Sequence, residues 1–274
     1  MNPYILEDAP YGDITAELLL NPEVRCKSQI ISKEYAVVAG LTESAEIFKE
    51  FGLKVQQLVD EGTYIEPHTP VMTIEGTGRS ILLCERTALN FIMHLSGIAT
   101  ETYEVVTSAR KVNPSIVITA TRKTIPGLRI AEKHAVQLGG GDTHRLSLSD
   151  MILVKDNHIR LVGSIEKVLA ILKTKKPFTK KVEIEVQNQS EAILAAKSGL
   201  VDIIMLDNFK PNRIKKIYTK LKKINPKIII EVSGGITRDN IQNYARYADI
   251  ISLSAITLSA RARDFSLEII EVNQ

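Results

Sequence analysis

The sequence predicts an α/β protein in which a small N-terminal domain precedes a larger barrel of parallel strands. After Pro114 the chain becomes a series of short runs rich in Ile, Leu and Val that alternate with helical, lysine-rich stretches. Such continuous apolar runs are typical of parallel strands that are covered on both faces. Each run ends in polar or small residues, and the carboxyl ends of parallel barrel strands meet at one rim. The alternation and the strand ends together favour a barrel over an open sheet.

The N-terminal domain is predicted over residues 1–112, within a chain of 274 residues that is long enough for one barrel and an appendage. It contains short β-prone pieces separated by tight turns and one short helix, whose N-cap is predicted at Thr42. Residues 83–112 predict a long helix that joins the two domains, because apolar side chains recur there at helical spacing.

The barrel domain is predicted over residues 113–257, and the tail of about 258–274 is expected to pack on the N-terminal domain. The helices between the strands allow right-handed crossovers, which place the strands in one parallel sheet. The predicted strands are residues 115–121, 150–155, 181–186, 201–207, 227–233 and 248–254.

Charge and cysteine content exclude several classes of protein. Lys+Arg 35 against Asp+Glu 32 leaves a net charge of +3, which is too balanced for nucleic-acid binding through the overall field. Cys26 and Cys84 lack metal-ligand spacing, so we expect reduced thiols and a cytoplasmic location. The first residues do not read as a signal peptide, and no apolar stretch approaches the ~20 residues that span a bilayer. We therefore expect neither a nucleic-acid partner nor association with a membrane.

Cations at the ends of the predicted strands form the first candidate site. Arginine binds carboxylate or phosphate groups bidentately, and lysine supplies a compact positive charge. Any one of these cations could be an ordinary surface residue, but the set can hold a ligand that carries several negative charges. Its members are Arg122, Lys123, His144, Arg145 and Lys155.

Acidic and glycine-rich strand ends complete this rim. Glu185 and Asp207 end consecutive strands and could either share a hard cation such as Mg²⁺ or neutralise the neighbouring cations. The turn at 233–235 follows a strand and precedes a helix whose cap is predicted at Thr237. The exposed N–H groups of such a turn can bind phosphate. These residues predict an enzyme that acts on anionic, phosphorylated small molecules with a divalent ion, and they leave the reaction open.

Other conspicuous residues receive plainer interpretations. The glycines at 139–141 lack the spacing of a nucleotide-binding loop, so we interpret them as a flexible segment that carries His144 and Arg145 into the site. His134 and His158 could be catalytic, but an isolated histidine more often packs or caps a helix.

Motifs along nearly the whole chain match one enzyme family in the order of their occurrence. They are EDAPYGDIT (7–15), ERTALNFIMHLSGIAT (85–100), the TRKT, PGLR, GGG, HR and KDNH series within 121–159, EVQN (185–188), IIMLDNF (203–209) and EVSGGIT (231–237). In these motifs the chain resembles the quinolinate phosphoribosyltransferase family. The series within 121–159 is the most specific part of the resemblance.

The resemblance implies transfer of the 5-phosphoribosyl group from phosphoribosyl pyrophosphate to quinolinate, with decarboxylation. The products would be nicotinate mononucleotide, pyrophosphate and CO₂, in NAD biosynthesis. The implied fold is an N-terminal α/β sandwich domain followed by an incomplete, TIM-like parallel α/β barrel. The implied assembly is a homodimer or a hexamer, in which the N-terminal domain of one subunit completes the site of its partner.

The resemblance also assigns roles to individual residues. Arg86 would be donated across the dimer, and Mg²⁺, bound with phosphoribosyl pyrophosphate, would be held by Glu185 and Asp207, in part through water. The implied quinolinate-binding residues are Arg86, Thr121, Arg122, Lys123, His144, Arg145 and Lys155. The implied phosphoribosyl pyrophosphate residues are Lys123, Lys155, Glu185, Asp207, Ser233, Gly234, Gly235, Ser254, Ala255 and Ile256.

Two segments depart from the family pattern, and three alternatives stay open. Residues 254–257 replace an expected glycine-containing segment, and Ala120 stands where many members have an acid. The alternatives are a molybdenum-transport-associated paralogue, a nicotinate phosphoribosyltransferase and an inactive barrel scaffold. The intact KDNH motif argues against the first, the surplus of cations against the second, and the retained rim charges against the third.

Overall fold

The computed structural model describes residues 2–273, which form two compact units. The first unit takes the chain up to Tyr103, His134–Gly140 and the chain from Ala260 onward, and the second takes Glu104–Lys133 and Gly141–Ser259. The helices are α1 (Pro3–Asp8), α2 (Ile14–Leu19), α3 (Leu41–Glu50), α4 (Gly78–Arg110), α5 (Arg129–Leu138), α6 (Asp156–Val162), α7 (Ile165–Lys175), α8 (Gln189–Lys197), α9 (Pro211–Ile224) and α10 (Ile241–Ala245). The strands are β1 (Arg25–Ser32), β2 (Ala36–Val37), β3 (Lys54–Gln57), β4 (Tyr64–Ile65), β5 (Pro70–Thr77), β6 (Val117–Ala120), β7 (Ile152–Val154), β8 (Val182–Val186), β9 (Ile203–Asp207), β10 (Ile229–Ser233), β11 (Ile250–Leu253) and β12 (Phe265–Asn273).

An antiparallel sheet in the order β12-β1-β5-β3 is the framework of the first unit. Its core contains apolar side chains from the sheet, from α3 and from α4, and Phe48, Ile74 and Ile92 are fully buried there. Burial of each such side chain stabilises the fold by about 1.5–3 kcal/mol relative to leaving it exposed. Because β12 pairs with β1 and contributes Phe265 to this core, the C-terminal strand is part of the first unit.

Six parallel strands in the order β6-β11-β10-β9-β8-β7 form the sheet of the second unit. β6 and β7 follow each other in sequence but lie at opposite edges of the sheet, so the barrel is incomplete. All five residues of β8 are buried, as expected for a strand covered on both faces. The structure confirms the predicted fold class, and each strand predicted after Pro114 contains an observed strand. None of the helices in residues 2–273 combines the length and apolar character of a membrane span.

The start of α3 differs from the prediction. The helix begins at Leu41 after Gly40, whose φ is 86°, so the predicted N-cap at Thr42 is wrong. The carboxylate of Glu61 accepts hydrogen bonds from the amide of Leu41, at 2.8 Å, and from the hydroxyl of Thr42, at 3.1 Å. A cap that comes from a distant residue cannot be recognised from the sequence next to the helix.

The units also divide differently from the predicted boundary at 112/113. Helix α4 spans 33 residues, and the chain first passes from the first unit to the second after Tyr103, within this helix, so no linker separates the units there. Of the glycines at 139–141, which were predicted to be flexible, Gly139 is closely packed at the end of α5. A Cβ on Gly139 would lie 2.3 Å from the carbonyl oxygen of Ala99, so only glycine allows this approach.

Two short helices at the N-terminus were not predicted. The side chain of Asn2 caps α1 by accepting from the amide of Tyr4, and Asp13 caps α2 by accepting from the amides of Thr15 and Ala16. Each helix has six residues. Helices this short depend on tertiary packing and show too little periodicity to be identified from sequence.

Candidate active site

A cavity of about 740 Å³ lies at the carboxyl ends of the parallel strands of the second unit. It brings together all but two of the predicted site residues, namely Thr121, Arg122, Lys123, His144, Arg145, Lys155, Glu185, Asp207, Ser233, Gly234, Gly235, Ser254 and Ala255. Ile256 is completely buried and is not part of the cavity lining. Arg86 lies exposed on the part of α4 that belongs to the first unit.

Arg122 and Arg145 bring two guanidinium groups to the cavity wall. Arg145 is 8% exposed, and Nε of Arg122 is buried without a hydrogen-bond partner in the described part of the chain. Burial, and next the positive charge of Arg122, lower the pKa of Arg145. A buried and a half-buried cation near each other are stabilised by an anion, so this wall is suited to a ligand carboxylate or phosphate.

Two buried side chains hold the loops that carry these cations. The ammonium group of Lys133 donates to the carbonyl of Ala120, at 2.9 Å, and to the carbonyl of Thr143, so it ties the end of β6 to the loop before His144. Burial, and next the charge of a neighbouring arginine, lower the pKa of Lys133 to about 8. The hydroxyl of Thr257 donates to the carbonyl of Lys123 at 2.8 Å, so the segment that departs from the family pattern supports the cationic loop.

His144 contacts two fully buried carboxylates. Its Nε2 lies 3.1 Å from Oε2 of Glu231 and 3.3 Å from Oε2 of Glu183. Burial lowers the pKa of His144, but the hydrogen bonds and charges of the two glutamates outweigh burial and raise the pKa to about 10. The amide of Arg145 opposes this rise, because it donates to Nδ1 at 2.8 Å and a second ring proton would break that hydrogen bond. In this geometry Nε2 carries a ring proton that it donates to Oε2 of Glu231, and Oε2 of Glu183 lies in ionic contact with the same nitrogen.

Acidic groups occupy the adjoining part of the rim. Nζ of Lys155 lies 2.5 Å from Oε2 of Glu185, which is 7% exposed. On the neighbouring strand, the Asn208 side-chain amide donates to Oδ2 of Asp207 at 2.6 Å. Glu185 pairs in register with Met205, so Asp207 lies one pleat further along on the same face of β9. These carboxylates are oxygen ligands of the kind that Mg²⁺ prefers.

The glycine turn after β10 is built for close backbone approach. Gly234 and Gly235 have φ of 96° and 62°. The backbone amide of Asn208 donates to the carbonyl of Ser233 at 2.9 Å. The prediction that Thr237 caps the next helix is wrong, since α10 begins at Ile241. The Asn240 side chain instead bridges the turn, accepting from the amide of Thr237 and donating to the carbonyl of Gly235. The amides available for an anion therefore belong to the turn and not to a helix N-terminus.

The two isolated histidines lie apart from the cavity lining. Nδ1 of His158 accepts from the amide of Lys155 at 2.9 Å, which confirms the interpretation that it caps a helix. His134 is exposed on α5.

Several residues of the site were missed from the sequence. Glu231, Asn208, Ser252 and Ser259 also line the cavity, and Glu183 lies directly behind it against His144. One signal was available, because Glu183 and Glu231 interrupt apolar strands, and a buried carboxylate requires a partner.

Family profiles match almost the whole chain. A profile described as "Quinolinate phosphoribosyl transferase, N-terminal domain" matches residues 13–96. A second profile, described as "Quinolinate phosphoribosyl transferase, C-terminal domain", matches residues 98–268.

Curated relatives of similar length agree with these profiles. The probable nicotinate-nucleotide pyrophosphorylase [carboxylating] of Methanocaldococcus jannaschii is 45% identical over 268 residues, which cover 96% of this chain and 93% of the relative. The human nicotinate-nucleotide pyrophosphorylase [carboxylating] is 34% identical over 270 residues, which cover 98% of this chain and 90% of the relative.

Solved structures share the fold. NadC from Streptococcus pyogenes is 38% identical with a TM-score of 0.90, and the match covers 98% of this chain and 94% of that one. The nicotinate-nucleotide pyrophosphorylase of Francisella tularensis is 36% identical with a TM-score of 0.89, covering 98% and 93%. Human nicotinic acid phosphoribosyltransferase, at 11% identity and a TM-score of 0.66, shares the fold alone over 100% of this chain and 74% of its own.

Proposed function

Because this chain belongs to the quinolinate phosphoribosyltransferase family, we propose that the cavity of its barrel is the active site of a carboxylating nicotinate-nucleotide pyrophosphorylase. Such an enzyme transfers the 5-phosphoribosyl group from phosphoribosyl pyrophosphate to the ring nitrogen of quinolinate, with loss of the 2-carboxylate, in NAD biosynthesis. The convergence of four Arg and Lys side chains and two carboxylates on one rim carries the proposal: Arg122, Lys123, Arg145, Lys155, Glu185 and Asp207.

Quinolinate is assigned to the cationic wall. Its two adjacent carboxylates must lose their hydration on binding, and the guanidinium groups of Arg122 and Arg145 replace that hydration with charged hydrogen bonds. The buried Nε of Arg122, which lacks a partner in the described part of the chain, supports this assignment. The remaining members of the wall are Thr121, Lys123, His144 and Lys155.

Phosphoribosyl pyrophosphate is assigned to the acidic part of the rim and the glycine turn. Lys123 and Lys155 face the pyrophosphate, and the amides of the turn at 233–235, with Ser254 and Ala255, face the 5′-phosphate. Glu185 and Asp207 would hold Mg²⁺, in part through water, because their carboxylates are the hard oxygen ligands that this ion takes. When bound, the ion supplies neutralisation of charge on the pyrophosphate leaving group.

The residues of the cavity act by position and charge. The nucleophile is the ring nitrogen of quinolinate, so no side chain is required as a general base. The carboxylates of Glu185 and Asp207 stabilise the positive charge that develops at the anomeric carbon as pyrophosphate departs. Once the ring nitrogen carries the ribosyl group it is cationic and accepts the electrons of the breaking bond to the 2-carboxylate. The wall then has to release the carbon that Arg122 and Arg145 had held as a carboxylate.

The direct test is a product assay on the purified protein. We expect quinolinate, phosphoribosyl pyrophosphate and Mg²⁺ to give nicotinate mononucleotide and CO₂ in equal amounts, and nicotinate to give no product. A chelator should stop turnover and added Mg²⁺ should restore it. Turnover of nicotinate would instead assign the protein to the non-decarboxylating relatives. The absence of product from both substrates would contradict the proposed function.

We further propose that the protein is a homo-oligomer in which Arg86 completes the cavity of a partner subunit. Arg86 is exposed on α4, in the ERT motif through which the chain resembles its family. Arginine is suited to this task because its fork binds a carboxylate bidentately from a distance.

Mixed dimers test this arrangement. Arg86→Ala and Lys155→Ala are each expected to be inactive alone. After subunit exchange, roughly a quarter of wild-type turnover should return, because half of the dimers are mixed and each mixed dimer keeps one intact site. Mixing Lys155→Ala with Arg122→Ala should restore no turnover. Each subunit then carries a substitution in its own barrel, so every site of a mixed dimer is defective. No recovery despite demonstrated exchange would contradict donation of Arg86.

A further inference from the structure

A layer of charged side chains lies beneath the quinolinate wall, where a barrel normally holds apolar residues. Side chains two residues apart on a strand share a face, so Glu183 lies one layer below Glu185 on β8, and Glu231 lies one layer below Ser233 on β10. The interior layers of parallel barrels are dominated by Val, Ile and Leu. Both glutamates are 0% exposed. Two carboxylates at such positions require a partner that justifies their burial.

Their shared partner is His144, which reaches them from the loop after α5. Its Nε2 lies 3.1 Å from Glu231 and 3.3 Å from Glu183, so the ring bridges carboxylates from two strands that are separated by β9. On the other side of the ring, Nδ1 accepts the backbone amide of Arg145 at 2.8 Å. The ring therefore links the buried carboxylates to the backbone of an arginine in the substrate wall.

The loop needs this support because its conformation is unfavourable. His144 has a φ of 53°, in the left-handed region that non-glycine residues rarely adopt. The carboxylate of Asp142 accepts the His144 amide at 2.7 Å, which holds the loop on one side only. The contacts of the imidazole with Glu183 and Glu231 hold it on the other.

We infer that Glu183 and Glu231 are positioning residues for quinolinate recognition, which act through the His144 ring to fix the Arg145 backbone and its guanidinium in the wall of the cavity. This inference rests on the proposed function. It assigns the selectivity for a dicarboxylate in part to two residues that do not contact the substrate. Two further observations support it: Oε1 of Glu183 and Oε1 of Glu231 lack hydrogen-bond partners in residues 2–273, and the negative charge of Glu183 raises the pKa of Arg145, which opposes the effect of burial.

Steady-state kinetics of Glu231→Gln and Glu183→Gln test the inference. Each variant keeps the size of the side chain and removes its charge. We expect KM for quinolinate to rise about tenfold or more, the loss typical of a charged hydrogen bond, while KM for phosphoribosyl pyrophosphate stays within about twofold. Glu231→Asp, which keeps the charge, should recover part of the loss. Glu43→Gln removes a half-buried carboxylate of the first unit and is the matched control, expected to leave both KM values unchanged.

Several outcomes would overturn the inference. Equal rises in both KM values, or unchanged KM for quinolinate in both variants, would show that the glutamates serve the fold alone. A transition metal bound stoichiometrically by the wild type and lost in Glu183→Gln would show that the cluster of His144, Glu183 and Glu231 is a metal site instead. If Glu231→Gln does not fold, Glu183→Gln decides. Lack of turnover by the wild type would contradict the proposed function. If the wild type is active but the ratio of KM for quinolinate to KM for phosphoribosyl pyrophosphate is the same in both variants as in the wild type, this inference alone is contradicted.

Discussion

Replacing Arg122 with alanine is expected to lower kcat/KM for quinolinate by at least about a hundredfold while leaving the protein folded. The side chain lines the cavity, and its buried Nε lacks a partner in the described part of the chain until an anion binds. Removing one partner of a buried charge pair costs about 3–5 kcal/mol, which corresponds to a fall of roughly a hundredfold to a few thousandfold. Initial rates at varied quinolinate measure the effect, and thermal unfolding should show a change in Tm of no more than about 4 °C.

Two further variants separate local from general effects of charge. Arg122→Lys should fall between the wild type and Arg122→Ala, because lysine keeps the charge and loses the bidentate fork. Lys173→Ala removes an exposed cation from α7 and should leave kcat/KM unchanged. A value of kcat/KM for Arg122→Ala close to that of the wild type would contradict the assignment of quinolinate to this wall.

Gly234→Ala is expected to lower kcat/KM for phosphoribosyl pyrophosphate by about a hundredfold, the effect of misplacing a catalytic group by about 1 Å. The residue has a φ of 96°, and an added Cβ would lie 2.2 Å from Oδ1 of Asn208. Asn208 also donates to the carboxylate of Asp207, so displacing it moves an acid of the site as well as the turn. Rates at varied phosphoribosyl pyrophosphate measure the effect.

The matched control for this substitution is Gly199→Ala. Gly199 has a φ of 67° with no atom near the position of a Cβ, so alanine there adds backbone strain without a clash. We expect a loss of about 1–2 kcal/mol in the free energy of unfolding and no change in kinetics. If the two variants have the same kinetics, the turn at 233–235 does not bind the phosphate.

The strands of the barrel were predictable because a strand that is buried on both faces requires a continuous run of apolar residues, which is visible in the sequence. The apolar run at 201–207, for example, contains all of β9 and ends at Asp207, which lines the cavity as expected from its place at a strand end. The rim could be predicted for the same reason, since parallel strands with a common direction bring their carboxyl ends together.

The features that were missed depend on which side chains contact one another in the folded chain. Glu61 caps α3 from a position well beyond the helix, and Asn240 rather than Thr237 organises the glycine turn. The partnership of His144 with Glu183 and Glu231 joins three separate segments, and no local pattern encodes it. Sequence therefore indicates which residues can carry charge at the rim, and tertiary structure decides which of them contact one another.

The pairing of the last strand with the first has a consequence for synthesis on the ribosome. Residues 265–273 of β12 complete the sheet beside β1, whose residues 25–32 are made more than two hundred residues earlier. The second unit ends at Ser259, so its chain is finished before β12 emerges. Until then β1 presents an unpaired edge, and unpaired edges associate readily with other chains. In this protein the half that is translated first is completed last, and a ribosome that stops a few codons early leaves the N-terminal sheet, not the barrel, unfinished.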